Sequence, residues 1–276
     1  MNLIKIIFKK IKTGLFLYFP SFAWYLNKFY WIIYIKFLKK TKKELILELP
    51  YGGLGDHLIY SVLPEAIQKK FGVKVNISEY SNIRNNEITD LVWRKNPYVK
   101  IIKKHGVFIT CPIIKKYTNY NDALFNMLGL KTKNIKIYYT PKKIICNEIV
   151  CDLTFGPSGT FNGYTDKKFM IAVKRYLDDM YYNKKLVFLI PNIPNCNSSI
   201  VKYILKKRRT NARIKNINTI YETIDMLNSA QKVICLYSGS ASLCAAINKN
   251  ATVLCNKLAN PYFIYKNNTY INLITK

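Results

Sequence analysis

One stretch near the start of the chain constrains its fold more than any other. Residues 45–60 read as an apolar strand, then a glycine-rich turn, and then a helix. This order is typical of the phosphate-binding end of a doubly wound α/β domain. Gly52, Gly53 and Gly55 let a ligand approach the backbone closely, and the helix start adds unpaired N–H groups and a partial positive charge. The stretch therefore predicts a ligand site.

Asp56 stands where this helix begins, and two interpretations of it are open. The helix start favours an ionised carboxylate, which could act as a general base. Aspartate is also among the residues preferred as an N-cap, so its role could be purely structural.

Two nucleotide-binding motifs can be compared with the glycine turn. A Walker A loop requires Lys-Ser or Lys-Thr after its last glycine, and Asp56-His57 stands there instead, which excludes a P-loop. A dinucleotide fingerprint requires a third glycine on the helix, where Leu58 and Ile59 lie. Glu79, however, follows the next strand where a ribose-binding acid belongs, so a dinucleotide-binding domain stays open as an alternative.

Strands and helices alternate twice along the chain. The first series, residues 44–143, ends in a segment typical of a linker, and the second, residues 144–276, restarts with a strand. We expect an α/β fold of two doubly wound, Rossmann-like domains that face one another across a cleft. In the first series the pattern predicts one helix from His57 to Phe71 and includes strands at 107–110 and 135–139.

The turn Ser238-Gly239-Ser240 is the second place with chemical meaning. It follows an apolar strand and opens a helix of small residues. Backbone N–H groups and the two serine hydroxyls could hold a diphosphate there. An ordinary short crossover between strand and helix is the alternative.

Residues 1–43 carry many lysines and aromatic residues but no acidic residue. Lys5, Lys9 and Lys12 share one helical face and apolar residues take the others, which is an amphipathic pattern. We expect a helical membrane-interface segment, with lysines on anionic headgroups and aromatic rings in the interface. Packing of the segment on the protein itself is the alternative.

A signal peptide or a spanning helix fits residues 1–43 less well. Pro20 interrupts the segment, and it has no small-residue cleavage site. Asn27 and Lys28 lie near the middle of a hypothetical span over residues 13–37, where each is costly in hydrocarbon.

The formal net charge of +29 would usually suggest a nucleic-acid partner. The excess of Lys, Asn, Ile and Tyr, all encoded by A/T-rich codons, instead indicates mutational bias, and the lysines after residue 44 are scattered, so no nucleic acid is predicted. Seven cysteines without a C-x-x-C pair are typical of free thiols in the cytoplasm. Neither of the two histidines has a partner at ligand spacing, and no Asp-x-Asp triplet occurs, so no metal is predicted.

The glycine turn and its helix resemble the first strand, loop and helix of glycosyltransferase family 9, the bacterial heptosyltransferases of lipopolysaccharide cores. The segments from Thr219 to Ile224 and from Ser238 to Ile247 are similar to the nucleotide-sugar region of that family. These matches lie at the expected ends of a GT-B chain. The resemblance thus implies a GT-B fold with an acceptor-side domain at 44–143 and a nucleotide-sugar-binding domain at 144–276.

The resemblance also implies site residues. Asp56 matches the catalytic aspartate, Ser238 and Gly239 match a diphosphate-contacting pair, and Lys167 matches a basic residue that contacts the donor. The chain departs from the family at Tyr237, where an aspartate is usual, at Ser242, where a histidine is usual, and at Asn192 and Asn195 in a loop that often carries an acid for the ribose. The complete predicted donor site is Lys167, Ser238, Gly239, Ser240, Ser242, Ser158 and Gly159.

The activity implied is that of a metal-independent, inverting glycosyltransferase. The acceptor hydroxyl attacks the sugar while Asp56 takes its proton, and the helix start and Lys167 meet the charge on the leaving diphosphate. The donor is a nucleotide-diphosphate sugar, with no further cofactor. The acceptor is a cell-surface glycan or glycolipid of lipopolysaccharide or capsule synthesis, and the enzyme lies peripherally on the inner face of the cytoplasmic membrane.

Two alternatives remain. The missing family acids at Tyr237 and Asn192 favour a non-catalytic nucleotide-binding or membrane-surface protein. The dinucleotide-binding domain is the other.

Overall fold

The computed structural model describes residues 20–111, 119–144, 147–157, 159, 162–192, 196–207, 211–256 and 263–274, and the statements below concern these residues. They form two parallel β-sheets with helices packed on them. The predicted α/β class with two facing parallel sheets is therefore confirmed.

The first sheet has three parallel strands in the order β1-β2-β3. Its register pairs Leu45 with Val75 and Ile77 with Ile101. In chain order, the elements of this half are α1 Pro20–Lys40, β1 Leu45–Leu47, α2 Leu54–Tyr60, α3 Leu63–Phe71, β2 Val75–Ser78, α4 Asn86–Ile88, a π-helical turn Thr89–Arg94, β3 Ile101–Ile102 and α5 Tyr120–Met127.

The second sheet has six parallel strands in the order β6-β5-β4-β7-β8-β9. The chain starts at the central strand β4, winds outward to β6, and returns beside β4 at β7. The point between β4 and β7 is therefore the topological switch of a doubly wound sheet. In chain order, the elements of this half are β4 Ile149–Asp152, α6 Lys167–Tyr181, β5 Leu186–Pro191, α7 Ser199–Lys207, β6 Ala212–Ile217, α8 Ile220–Ser229, β7 Lys232–Leu236, α9 Gly239–Ala246, β8 Ala251–Cys255 and β9 Asn268–Asn272.

Helix α1 belongs to the body of the protein. Trp24, Trp31, Ile35 and Leu38 are all buried on one of its faces, and the helix contacts α3 and α5. One face of this helix therefore packs on the protein itself, which was the alternative prediction for residues 1–43. Residues 1–19 of the same predicted segment lie outside the described residues.

Three predicted elements of the first half are wrong in part. The helix from His57 to Phe71 is two helices, because Pro64 near the start of α3 lacks the N–H that a continuous helix needs. The strand at 107–110 reduces to a single bridge between Val107 and Leu47. Residues 135–139 form no strand.

The segment that was expected to form the strand at 135–139 is held by side chains instead. Glu65 of α3 is 5% exposed and bonds to Lys133 and Lys136, while Tyr138 donates a hydrogen bond to it at 3.2 Å. Burial raises the pKa of Glu65, but hydrogen bonds from Lys136, Lys69 and Lys133 outweigh burial and lower it to about 2. This ion cluster ties the segment to α3.

Candidate active site

A cleft of about 1150 Å³ lies where the carboxyl ends of the strands of both sheets converge. In open α/β sheets, ligands bind beyond the carboxyl ends at the topological switch point, which here lies between β4 and β7. The residues that line the cleft include Tyr51, Gly53, Gly55, Asp56, Arg84, Asp152, Thr154, Gly159, Tyr237, Ser238, Gly239, Ser240, Ser242 and Phe263.

Asp56 belongs to the part of the cleft lining that comes from the first half of the chain. It lies in the first turn of α2, and its Oδ2 accepts the N–H of Gly53 at 3.1 Å. The N-cap is Gly53, so Asp56 assists capping from inside the helix and is not itself the cap. A Cβ at position 53 would lie 2.7 Å from Oδ2, so a larger residue there would require the carboxylate to shift. Oδ1 is left able to accept a proton.

The charge state of Asp56 reflects opposing influences. Burial raises the pKa of its carboxyl, whereas the Gly53 N–H and the Arg84 guanidinium lower it. A half-buried carboxylate with a raised pKa is a stronger base than an exposed one.

His57, the neighbour of Asp56, is a structural residue. The indole of Trp93 can only donate, and it donates to His57 Nδ1 at 2.8 Å. Nε2 must then carry the proton, and it donates to the carbonyl of Asn82 at 3.0 Å. The ring is fully buried, and burial lowers its pKa. A neutral imidazole with both nitrogens engaged is not available as a base.

The second turn also lines the cleft. Ser238 is the N-cap of α9, and its hydroxyl accepts the N–H of Ser240 at 3.4 Å. The hydroxyl of Ser240 donates to Asp152 at 2.6 Å, and that of Ser242 donates to the hydroxyl of Tyr265 at 3.2 Å. The first turn of α9 therefore places a helix start and three serines on the cleft.

Most of the residues predicted from the sequence meet in this cleft. Gly52 is buried and is not among the lining residues, and its carbonyl accepts the N–H of Arg84 at 3.2 Å. Lys167 is the first residue of α6, is exposed, and does not line the cleft. Ser158 lies outside the described residues. The predicted residues on the cleft are Gly53, Gly55, Asp56, Gly159, Ser238, Gly239, Ser240 and Ser242.

Sequence reasoning missed Arg84 and Asp152. Among the described residues, Arg84 is the cation that lines the cleft, and its guanidinium lies beside Gly53 and Gly156, one from each half. Asp152 ends the apolar strand β4, and a polar residue in that position was the available signal. Within the described part of the chain, no three His, Cys, Asp or Glu side chains are grouped so as to hold a metal ion.

No protein-family model matches the chain, and no curated protein matches it significantly. Solved structures do share its fold. The dodecameric, iron-containing heptosyltransferase TibC of Escherichia coli, solved with ADP-D-β-D-heptose, aligns with a TM-score of 0.57 at 14% identity over 82% of this chain and 62% of that one. The chain thus spans less than two thirds of TibC.

Two further structures show the same fold over more of their length. A glycosyltransferase family 9 protein of Veillonella parvula aligns with a TM-score of 0.57 at 12% identity, over 83% of this chain and 85% of that one. The E. coli ADP-heptose lipopolysaccharide heptosyltransferase II aligns with a TM-score of 0.57 at 10% identity, over 84% and 91%. The predicted resemblance to this family is confirmed as a resemblance of fold, which is of the GT-B type.

Proposed function

We propose that the protein is an inverting glycosyltransferase that moves a sugar from a nucleotide-diphosphate donor to a hydroxyl of a glycan or glycolipid. One observation carries the proposal: Asp56 and the start of α9 line one cleft. In an inverting reaction the acceptor attacks the sugar from the side opposite the leaving diphosphate, so the base and the diphosphate site must both border the sugar. Structures of the same fold are heptosyltransferases, and TibC was solved with a nucleotide sugar, which supports the choice.

Asp56 is the proposed general base. Its hydrogen bond to Gly53 fixes the direction of the carboxylate, and Oδ1 can take the proton of the acceptor hydroxyl. The nearby Arg84 favours the ionised form, which a base requires before reaction. His57 keeps the helix in place through Trp93 and Asn82.

The start of α9 is the proposed diphosphate site. Gly239 lets α9 begin directly against α2, and the positive end of the helix dipole stabilises charge that grows on the leaving group. Arg84 lines the same cleft and would add a cation there, a role that the family resemblance implies for Lys167. The proposed reaction uses these groups and no metal ion.

The test is a panel of nucleotide-diphosphate sugars, free nucleotides and NAD(P), screened by thermal shift and then assayed for nucleotide release when acceptors are added. A glycosyltransferase is stabilised by one nucleotide series and releases that nucleotide. Stabilisation without release would favour a non-catalytic nucleotide-binding protein, and selective stabilisation by NAD(P) would favour a dinucleotide-binding domain.

We further propose that α1 rests on the anionic inner face of the cytoplasmic membrane. The face of α1 directed away from the core carries large apolar side chains, the most exposed being Phe29 at 68%. Lys36, Lys39 and Lys40 lie near the end of the helix and would meet acidic headgroups. No described helix is both long and apolar enough to cross a bilayer. The exposed apolar face consists of Phe22, Tyr25, Leu26, Phe29, Tyr30, Ile33 and Phe37.

A further inference from the structure

A buried carboxylate lies beneath the second turn, and the proposed mechanism does not use it. Asp152 ends β4, is 2% exposed, and contributes to the cleft lining. Its Oδ1 accepts the hydroxyl of Thr154 at 2.7 Å and the N–H of Thr154 at 3.3 Å. Its Oδ2 accepts the hydroxyl of Ser240 at 2.6 Å. One carboxylate therefore joins the end of β4 to the first turn of α9.

The direction of these hydrogen bonds follows from their chemistry. A backbone N–H can only donate, and an ionised carboxylate can only accept. Separations of 2.6 and 2.7 Å are those of hydroxyls that donate to a charged carboxylate. Burial raises the pKa of Asp152, and the bonds from Ser240 and Thr154 oppose that rise. Ser240 thus directs its single hydroxyl proton at Asp152.

Toward the cleft, the oxygen of Ser240 then presents lone pairs and no proton. Such an oxygen repels the oxygens of a diphosphate and attracts a hydrogen-bond donor. We propose that Asp152 is a positioning residue that sets the polarity of Ser240, so that Ser240 accepts a hydrogen bond from a hydroxyl of the ribose or of the transferred sugar. The diphosphate is left to Gly239 and the backbone of the helix start. The inference rests on the proposed nucleotide-sugar site. It replaces the diphosphate contact predicted for the Ser240 hydroxyl with a contact to a sugar hydroxyl.

The substitution Asp152→Asn reverses this polarity with little change of shape. The amide oxygen stays with Thr154, which offers two donors, so the NH₂ group faces Ser240. That NH₂ group donates to Ser240, and the serine turns its own proton into the cleft. Phosphate oxygens should then be favoured there over hydroxyls.

Calorimetry with ADP, 2′-deoxy-ADP, 3′-deoxy-ADP, ADP-glucose and inorganic pyrophosphate tests this reversal, with the uridine and guanosine series in parallel. We expect Ser240→Ala to weaken the hydroxyl-bearing ligand by about two- to tenfold and to leave pyrophosphate unchanged. Asp152→Asn should weaken the same ligand but strengthen pyrophosphate. If the loss of affinity disappears with one of the deoxynucleotides, Ser240 binds the ribose hydroxyl that this nucleotide lacks. If the loss is confined to the nucleotide sugars, Ser240 binds a hydroxyl of the transferred sugar.

The matched control is Ser242→Ala. The hydroxyl of Ser242 belongs to the same turn, but it donates to Tyr265 and not to Asp152. This substitution should not alter the effect of Asp152→Asn. Weaker pyrophosphate binding in both Ser240→Ala and Asp152→Asn would overturn the inference, because Ser240 would then be a phosphate donor.

A ligand-independent measurement separates this inference from the proposed function. The ¹³C chemical shift of the Asp152 carboxyl should show an ionised group at pH 7, and Ser240→Ala should raise its pKa. A neutral Asp152 at pH 7 would refute the polarity argument even in a protein that binds nucleotides. Absence of binding to every nucleotide, with an ionised Asp152, would instead count against the proposed function.

Discussion

Gly239 at the start of α9 lies against Gly55 at the start of α2. A Cβ on Gly239 would come within 3.7 Å of the Gly55 nitrogen, and a Cβ on Gly55 would lie 3.2 Å from the hydroxyl of Ser242. The two helix starts therefore pack directly against each other, with the side chains of Leu54 and Ser242 at the contact. In the proposed reaction, this approach brings the base and the diphosphate site into one cleft.

Replacing Asp56 by asparagine separates proton acceptance from capping. The amide oxygen can still accept the Gly53 N–H, so the helix start should persist. Turnover should fall roughly 10²- to 10⁴-fold, about 3 to 5.5 kcal/mol of barrier, with donor affinity nearly unchanged. Steady-state rates and donor titration measure the two effects. Turnover within a few-fold of the parent would return Asp56 to a structural role.

The pH dependence of turnover should report on Arg84. Its guanidinium lowers the pKa of Asp56, so Arg84→Gln should raise that pKa and move the acid limb of the rate profile to higher pH. The variant should also bind nucleotide diphosphates more weakly, by about tenfold for a lost charged hydrogen bond. Lys167→Gln is the comparison, because Lys167 lies outside the cleft lining. A larger loss of donor affinity in Lys167→Gln would support the role that the family resemblance assigns to it.

Gly239→Asp should abolish most of the affinity for nucleotide diphosphates. The new carboxylate would stand at the helix start that the diphosphate needs. Gly239→Ala is the matched control, because a Cβ there meets Leu54 at 3.5 Å, an ordinary contact. Isothermal titration of both variants gives the comparison. Equal affinity for the parent and the aspartate variant would place the phosphate site elsewhere.

Glu65→Gln should destabilise the protein in a pH-dependent way. The pKa of Glu65 is lowered from 4.5 to about 2 in the folded state, so its stabilising contribution is present above 4.5 and is lost as the pH falls toward 2. At pH 7 the loss should be on the order of 2 kcal/mol, as expected when charged hydrogen bonds are broken. Urea unfolding at several pH values measures it. A difference that does not shrink at low pH would contradict the assignment.

Surface substitutions on α1 test the membrane proposal. Phe29→Gln combined with Phe22→Gln should reduce sedimentation with acidic vesicles and leave the thermal midpoint nearly unchanged, since both side chains are exposed. Deletion of the segment is a poorer test, because it would remove the buried Trp24 and Trp31. Undiminished sedimentation of the double variant would count against this face as the contact.

The sequence could predict those parts of the fold that short-range patterns encode. The apolar strand, the glycine turn and the helix at residues 45–60 are local, and so is the alternation that gives the second sheet. Strand β9 was missed because its sequence, Asn268–Asn272, is mixed and polar, as an edge strand of a sheet can be. The pairing of Asp152 with Ser240 spans 88 positions, and no local pattern reveals such a contact. Arg84 was missed for the same reason, since its partners come from both halves of the chain.

Because Trp24 and Trp31 belong to the core, α1 is not an anchor that can swing away from the body. A protein docked through its outer face would hold the cleft at a constant height and tilt above the lipid surface. The reach of an acceptor from its lipid to the reacting hydroxyl would then be a fixed distance. Acceptor length, rather than hinge motion, would decide which glycolipids such a protein can extend.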